Sequence, residues 1–172
     1  MTSLGARLSR GLKALFAPPA RPRAFDPAIA ALGETIAANL RALGLVVATT
    51  RHGKNFCEII AATARPPAVR AHHPTVSGVA LLLAGGYDPP QLVFAEINSL
   101  RRGLGRAMVA AALSALEAHP GVISAVRLND RSPRGDDGRS WWGHVAADWP
   151  QFDWIVTHDD GATHRSAPPC GA

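Results

Sequence analysis

The chain has 172 residues, 47% of them apolar, with 16 glycines and 14 prolines, which suits one domain with its own core and long turns. Its net charge of +5 sits in a segment before Asp26 that holds Arg7, Arg10, Lys13, Arg21 and Arg23 and no acid; the rest is balanced, which argues against a nucleic-acid-binding face. No apolar run reaches the roughly 18 residues of a membrane helix, and Cys57 and Cys170 suit neither a disulfide framework nor a zinc site, so a soluble, cytoplasmic protein without a metal centre is expected.

Met1 to Phe16 places Leu4, Leu8, Leu12, Leu15 and Phe16 on one helical face, largely away from Arg7, Arg10 and Lys13. This short basic amphipathic helix ends at the stiff linker Ala17 to Arg23. Residues 1–24 thus read as an arm, 25–165 as the folded domain and 166–172 as a loose tail. The arm suits a membrane surface, organellar targeting, or docking on its own domain or a protein partner. Asp26-Pro27 starts a helix carrying Ile29, Leu32, Ile36, Leu40 and Leu43, closed by Gly44. Strands follow over Leu45–Thr50, Asn55–Thr63, Val76–Ala84 and Gln91–Ile97, with a long connection near Arg65 to Pro74. The second half predicts a helix over Leu104–Leu116, a strand over Val122–Leu128, a short helix over Ser140–Ala147 and a strand over Phe152–Thr157.

The sharpest local signal is the stretch Phe94 to Met108, in which a strand enters the turn Ser99-Leu100-Arg101-Arg102-Gly103 and the turn opens into a helix at Leu104. Amide groups at a helix start, the helix dipole and glycines make an anion cradle, to which Arg101, Arg102 and Arg106 add charge. The third glycine of a dinucleotide fingerprint and the Gly-Lys-Ser/Thr of a Walker loop are both absent.

Arg102-Gly-Leu-Gly-Arg-Ala-Met108 resembles the pyrophosphate loop of the GNAT superfamily of acyl-coenzyme A N-acyltransferases, Arg/Gln-x-x-Gly-x-Gly/Ala. One register sets Arg102, Gly105 and Ala107 on that pattern. The other sets Gly103 and Gly105 on its glycines and Leu100 at its first position. The order of elements over residues 27–160 is similar too. The resemblance implies an α/β (α+β) fold with a mixed, mostly antiparallel central sheet flanked by helices. It implies acetyl-coenzyme A or another acyl-coenzyme A at Asn98, Ser99, Leu100, Arg101, Arg102, Gly103, Leu104, Gly105, Arg106 and Ala107, with Asn129 facing the cofactor arm. It also implies Glu96 as the base that deprotonates an amine, and aromatics near the thioester, where Trp141 and Trp142 stand. Many members carry a tyrosine general acid on that last helix; here the one tyrosine is Tyr87, far earlier.

The same residues have plainer readings: Glu96 as a strand carboxylate beside arginines, the arginines as solvated charges, and two or more of Trp141, Trp142, Trp149 and Trp154 as core. His72, His73 and His144 read as loop and helix residues, and Cys57 as a buried strand thiol. The expected function is N-acyl transfer to an amine on a small molecule or a protein. The alternative is an inactive binding protein of the same fold that docks through its arm.

Overall fold

A computed structural model describes residues 26–64 and 75–166. The N-terminal arm and linker, the connection from Arg65 to Pro74 with His72 and His73, and Cys170 lie outside the described residues. Three helices and seven strands form an α+β domain among the described residues.

Helix α1 (Pro27–Ala42) begins where Asp26 accepts the Ala28 and Ile29 N–H groups at 2.8 and 3.5 Å, with Pro27 in the first turn. Ile29, Leu32, Ile36 and Leu40 are buried at helical spacing. The expected fifth member of that stripe, Leu43, is instead the C-cap and is exposed, because the helix has ended and Gly44 turns the chain with φ 79°.

The strands are β1 (Val46–His52), β2 (Phe56–Ala62), β3 (Gly78–Ala84), β4 (Gln91–Asn98), β5 (Ala125–Asp130), β6 (Asp153–His158) and β7 (Thr163–Ser166), in sheet order β1-β2-β3-β4-β5-β6-β7. The first four form an antiparallel meander. Helix α2 (Leu104–Ala118) joins β4 to the parallel β5, helix α3 (Trp141–Asp148) joins β5 to the parallel β6, and β7 returns antiparallel. Two successive crossovers of one hand, advancing in one direction, place α2 and α3 on the same face of the sheet. There Ile59, Leu81, Leu92, Phe94, Val126, Leu128 and Trp154 meet Leu32, Ile36 and Leu40 of α1, Met108 and Leu113 of α2, and Trp142 and Val145 of α3 in one core. Truncating one fully buried member such as Leu32 to Ala costs about 2–5 kcal/mol. Polar ties fix α1 against α2: Asn39 Nδ2 donates to the Ala111 carbonyl at 3.0 Å, and Thr35 Oγ1 meets His119 Nε2 at 2.8 Å.

The expected strand at Val122–Leu128 begins only at Ala125, because Ser124 and Ala125 first turn their N–H groups to the Pro90 carbonyl. The sequence pattern also missed β7. Its four residues are all exposed and carry no apolar alternation; Arg165 holds it by gripping the buried Asp153 of β6 through Nε at 2.9 Å and a terminal nitrogen at 2.5 Å. Ser166, expected to open the tail, is the last residue of that strand. Cys57 is buried, and burial pushes its thiol pKa up against the pull of Arg51. Among the described residues no helix is long and apolar enough to cross a membrane.

Candidate active site

The sheet opens at one place. Parallel pairing of β4 with β5 ends at Phe94 and Leu128, although β4 runs on to Asn98 and β5 to Asp130. At that point β4 also carries a bulge: Leu81 of β3 faces Phe94 and Ala80 faces Glu96, so Ala95 is the extra residue. A bulge bends its strand and reverses the alternation beyond it. Leu92 and Phe94 face the helices, yet beyond the bulge it is Ile97 that packs on the core, while Glu96 lies opposite Ala80 on the other face, which carries no helix among the described residues. The bend and the reversal together separate β4 from β5 and turn a carboxylate through the gap.

The gap is a cavity of about 590 Å³. Phe94, Ala95, Glu96, Ile97, Asn98 and Ser99 form its β4 wall, Asn129, Arg131 and Ser132 its β5 wall, and Trp141, Trp142 and Gly105 its helix side. Glu96, Asn98, Ser99, Gly105 and Asn129, all expected from the sequence, therefore converge on one opening. The two tryptophans also stand there, ring to ring at 4.7 Å and 77°, with Trp142 tilted against Phe94 at 5.2 Å. Tyr87 is at the other end of β4, in the turn from β3, where it is 48% exposed and meets Phe56 edge-on at 5.8 Å.

A second cavity, about 470 Å³, lies at the start of α2 and is lined by Ser99, Arg101, Arg102, Gly103, Gly105, Arg106 and Trp141. Gly103 caps the helix with φ 82°, a conformation that costs a side chain about 1–2 kcal/mol. A Cβ on Gly105 would stand 3.2 Å from Ser99 Cβ and 3.6 Å from Trp141 Cζ2. Both glycines thus have backbone duties, whereas Ala107 is an ordinary helical residue whose N–H donates to the Gly103 carbonyl at 3.0 Å.

Several amides expected to be open to an anion have partners already. The Leu104 N–H donates to the Arg101 carbonyl at 3.2 Å, and the Gly105 N–H to Ser99 Oγ at 3.1 Å. Ser99 Oγ donates in turn to the Arg101 carbonyl at 2.7 Å. The Leu100 N–H donates to Ser77 Oγ at 2.8 Å, and its side chain is 58% exposed. Asn98 Nδ2 donates to the Val76 carbonyl at 2.7 Å. Arg106 reaches across to Asp148 at the end of α3, leaving Arg101 and Arg102 as the cations of the turn itself. Leu104 lines neither cavity and packs against the core.

One element of the site escaped the sequence reading. Asp130, at the end of β5, is 5% exposed and accepts the Ser132 N–H at 3.0 Å and the Ser132 hydroxyl at 2.5 Å. Ser140 lies near it and lowers its pKa, and as N-cap of α3 accepts the Gly143 N–H at 3.0 Å. Burial raises the Asp130 pKa, but those hydrogen bonds and the nearby His158 outweigh it, and the carboxyl lies below its usual range. One carboxylate thereby stands between the β5 wall and the start of the helix that carries Trp141 and Trp142. Asp130-x-Ser132 is a local turn signature and Ser140 a helix-start signal, but their ten-residue separation hides the link.

No group of three or more His, Cys, Asp or Glu side chains among the described residues suits a metal ion. The chain matches no family model, no curated protein and no solved structure.

Proposed function

We propose that this protein is an acyl-coenzyme A-dependent N-acyltransferase of the GNAT type. The observation that carries the reading is the parting of β4 and β5 at the Ala95 bulge, directly above the glycine-bearing start of α2. A strand that loses its neighbour presents its edge to an extended ligand, and a coenzyme A arm, with its two amides, suits such an edge. The diphosphate would lie in the arginine-lined cavity and the thioester in the larger one. Gly103 and Gly105 are the glycines that fit the family's loop, which favours the register with Leu100 at its first position.

In this reading the amine approaches from the face opposite α1, α2 and α3, to which Glu96 turns. Its nitrogen attacks the thioester carbonyl carbon, a C–N bond forms and the C–S bond breaks. The amine proton passes to Glu96, directly or through water, and the departing thiolate takes a proton from solvent, since Tyr87 is at the far end of β4. Thiol release from acetyl-coenzyme A, followed colorimetrically across a panel of amino acids, polyamines and peptides, tests this. Amine-dependent release that Glu96→Gln suppresses supports it, and its absence across the panel in a folded chain that binds the cofactor rules out the enzyme.

A second reading is favoured by the distance of Tyr87 from the opening and by Ser99 capping Gly105: a binding protein of the same fold, without turnover. It predicts binding of coenzyme A with no thiol release.

A further inference from the structure

The strands of the meander are apolar on both faces. Ile59 of β2, Leu81 of β3 and Leu92 of β4 point into the core beneath the helices, and alternation sends their neighbours to the opposite face. There Phe56 and Ile60 of β2, Ala80, Leu82 and Ala84 of β3 and Val93 of β4 make one strip. Register sets Phe56 beside Ala84, Ile60 beside Ala80 and Leu82 beside Val93. An antiparallel sheet with one face in water carries polar residues there. This strip does not, its four large side chains are only part-buried, and no helix among the described residues covers it. A layer that is apolar on both faces needs a cover on each.

One segment of the chain fits the strip in attachment, length and charge. Asp26, the first described residue, donates its N–H to the Lys54 carbonyl at 2.9 Å, two residues before Phe56. Residues 1–25 therefore join the fold at the end of the strip, where Phe56 and Tyr87 meet edge-on. The linker over residues 17–25 spans up to about 30 Å. Sixteen residues of helix measure about 24 Å, and the seven residues of β2 or of β3 about 23 Å. Residues 1–25 hold five cations and no acid, whereas the described residues hold eleven Lys and Arg against thirteen acids. Two of those acids border the strip: Glu58 stands beside Leu82, and Asp88 follows Tyr87. Gln91, beside Ala84 on the same face, is 5% exposed, and its Oε1 has no hydrogen-bond partner among the described residues. A buried acceptor in that state marks a place where a donor is missing, and the arm is rich in donors.

We infer that this sheet face is the docking surface for the chain's own N-terminal arm, residues 1–16, whose Leu4, Leu8 and Leu12 cover Ile60, Leu82 and Val93 while Arg7, Arg10 and Lys13 point to the acidic margin and to water. The arm is then the second outer layer of the fold, and its charge is spent within the molecule. This does not depend on the acyltransferase reading.

A nitroxide on Ser9→Cys, in a full chain that also carries Cys170→Ala, tests this by magnetic resonance; Cys57 is buried and is left in place. The label is expected to broaden amide signals most at Ile60, Leu82 and Val93, and least in α2 and α3 on the far face. Leu8→Asp with Leu12→Asp, which lie outside the folded body, should restore those signals, and so should Leu82→Asp on the face itself. Thermal melting confirms that each variant is folded. Mixing an isotope-labelled chain without nitroxide and an unlabelled chain that carries it separates contacts within one chain from contacts between two. Broadening of the strip within one chain, lost in the Leu8→Asp, Leu12→Asp variant, supports the docking. Equal broadening in the mixture assigns the face to a second copy and overturns it. Broadening that is absent, evenly spread, or unchanged in the arm variant overturns it as well.

Discussion

Removing the Asp130 carboxylate should loosen the wall and the helix that form the candidate site. Asp130→Ala deprives two donors of their acceptor, the Ser132 N–H and the Ser132 hydroxyl, and removes the carboxylate beside Ser140. Ser132 is half-exposed and finds water, so its loss is small. Ser140 is 8% exposed and keeps the Gly143 N–H, so it contributes only part of the about 1–3 kcal/mol that an unpaired buried group costs. Relief from burying a charge offsets part of this, which leaves roughly 1 kcal/mol, or a fall in Tm of about 2–4 °C for a chain of this size. The contribution has a definite pH dependence. Because the folded pKa lies below the unfolded value, the stabilisation is complete above pH about 4 and is lost as pH falls through the folded pKa. Urea titrations from neutral to acid pH on the wild type, Asp130→Ala and Asp130→Asn provide the assay. Both variants should lose that acid-range slope, and Asp130→Asn, which keeps one acceptor oxygen, should be the less destabilised at neutral pH. A wild type and an Asp130→Ala that unfold within 0.3 kcal/mol of each other, roughly the limit of additivity, would refute the idea that this carboxylate ties β5 to α3.

Three further outcomes follow from the same geometry. If the proposed transfer holds, Glu96→Gln should lower amine-dependent turnover by roughly a hundredfold or more while leaving acetyl-coenzyme A affinity unchanged in calorimetry. Gly103→Ala, forced to keep φ near 82°, should lose about 1–2 kcal/mol in urea melts, and a loss under half of that would mean the turn relaxes. Arg165→Met leaves Asp153 buried without its guanidinium, so amide hydrogen exchange in β6 and β7 should accelerate relative to α1; unchanged exchange would show that β7 is held by its backbone alone.

The sequence made the periodic elements legible because each buries a patterned face. Helix α1 was readable from Asp26-Pro27 and its leucine and isoleucine stripe, and β2, β3 and β4 from apolar runs between turn residues. What escaped depends on tertiary partners. Leu43 fits the helical spacing but falls one residue past the helix. β7 has no apolar alternation and is held by an arginine gripping a carboxylate 12 residues earlier. In the candidate site, the glycine turn was visible as a local pattern, and Glu96 and Asn129 were expected from the family resemblance that the turn carries. The bulge at Ala95, which decides the face that Glu96 occupies, leaves no mark in composition because alanine fits either face. Occupancy of the helix start was hidden as well: Ser99 and Arg101 cap amides that spacing alone leaves open, and Arg106 meets Asp148 from a different helix.

The most direct test of the central claim is calorimetric titration of the full chain with acetyl-coenzyme A, at low and at physiological salt. One site per chain with micromolar affinity, weakened by salt through Arg101 and Arg102, is the expected result. A folded chain that takes up no heat at either salt concentration would contradict it, and the opening between β4 and β5 would then serve no acyl-coenzyme A.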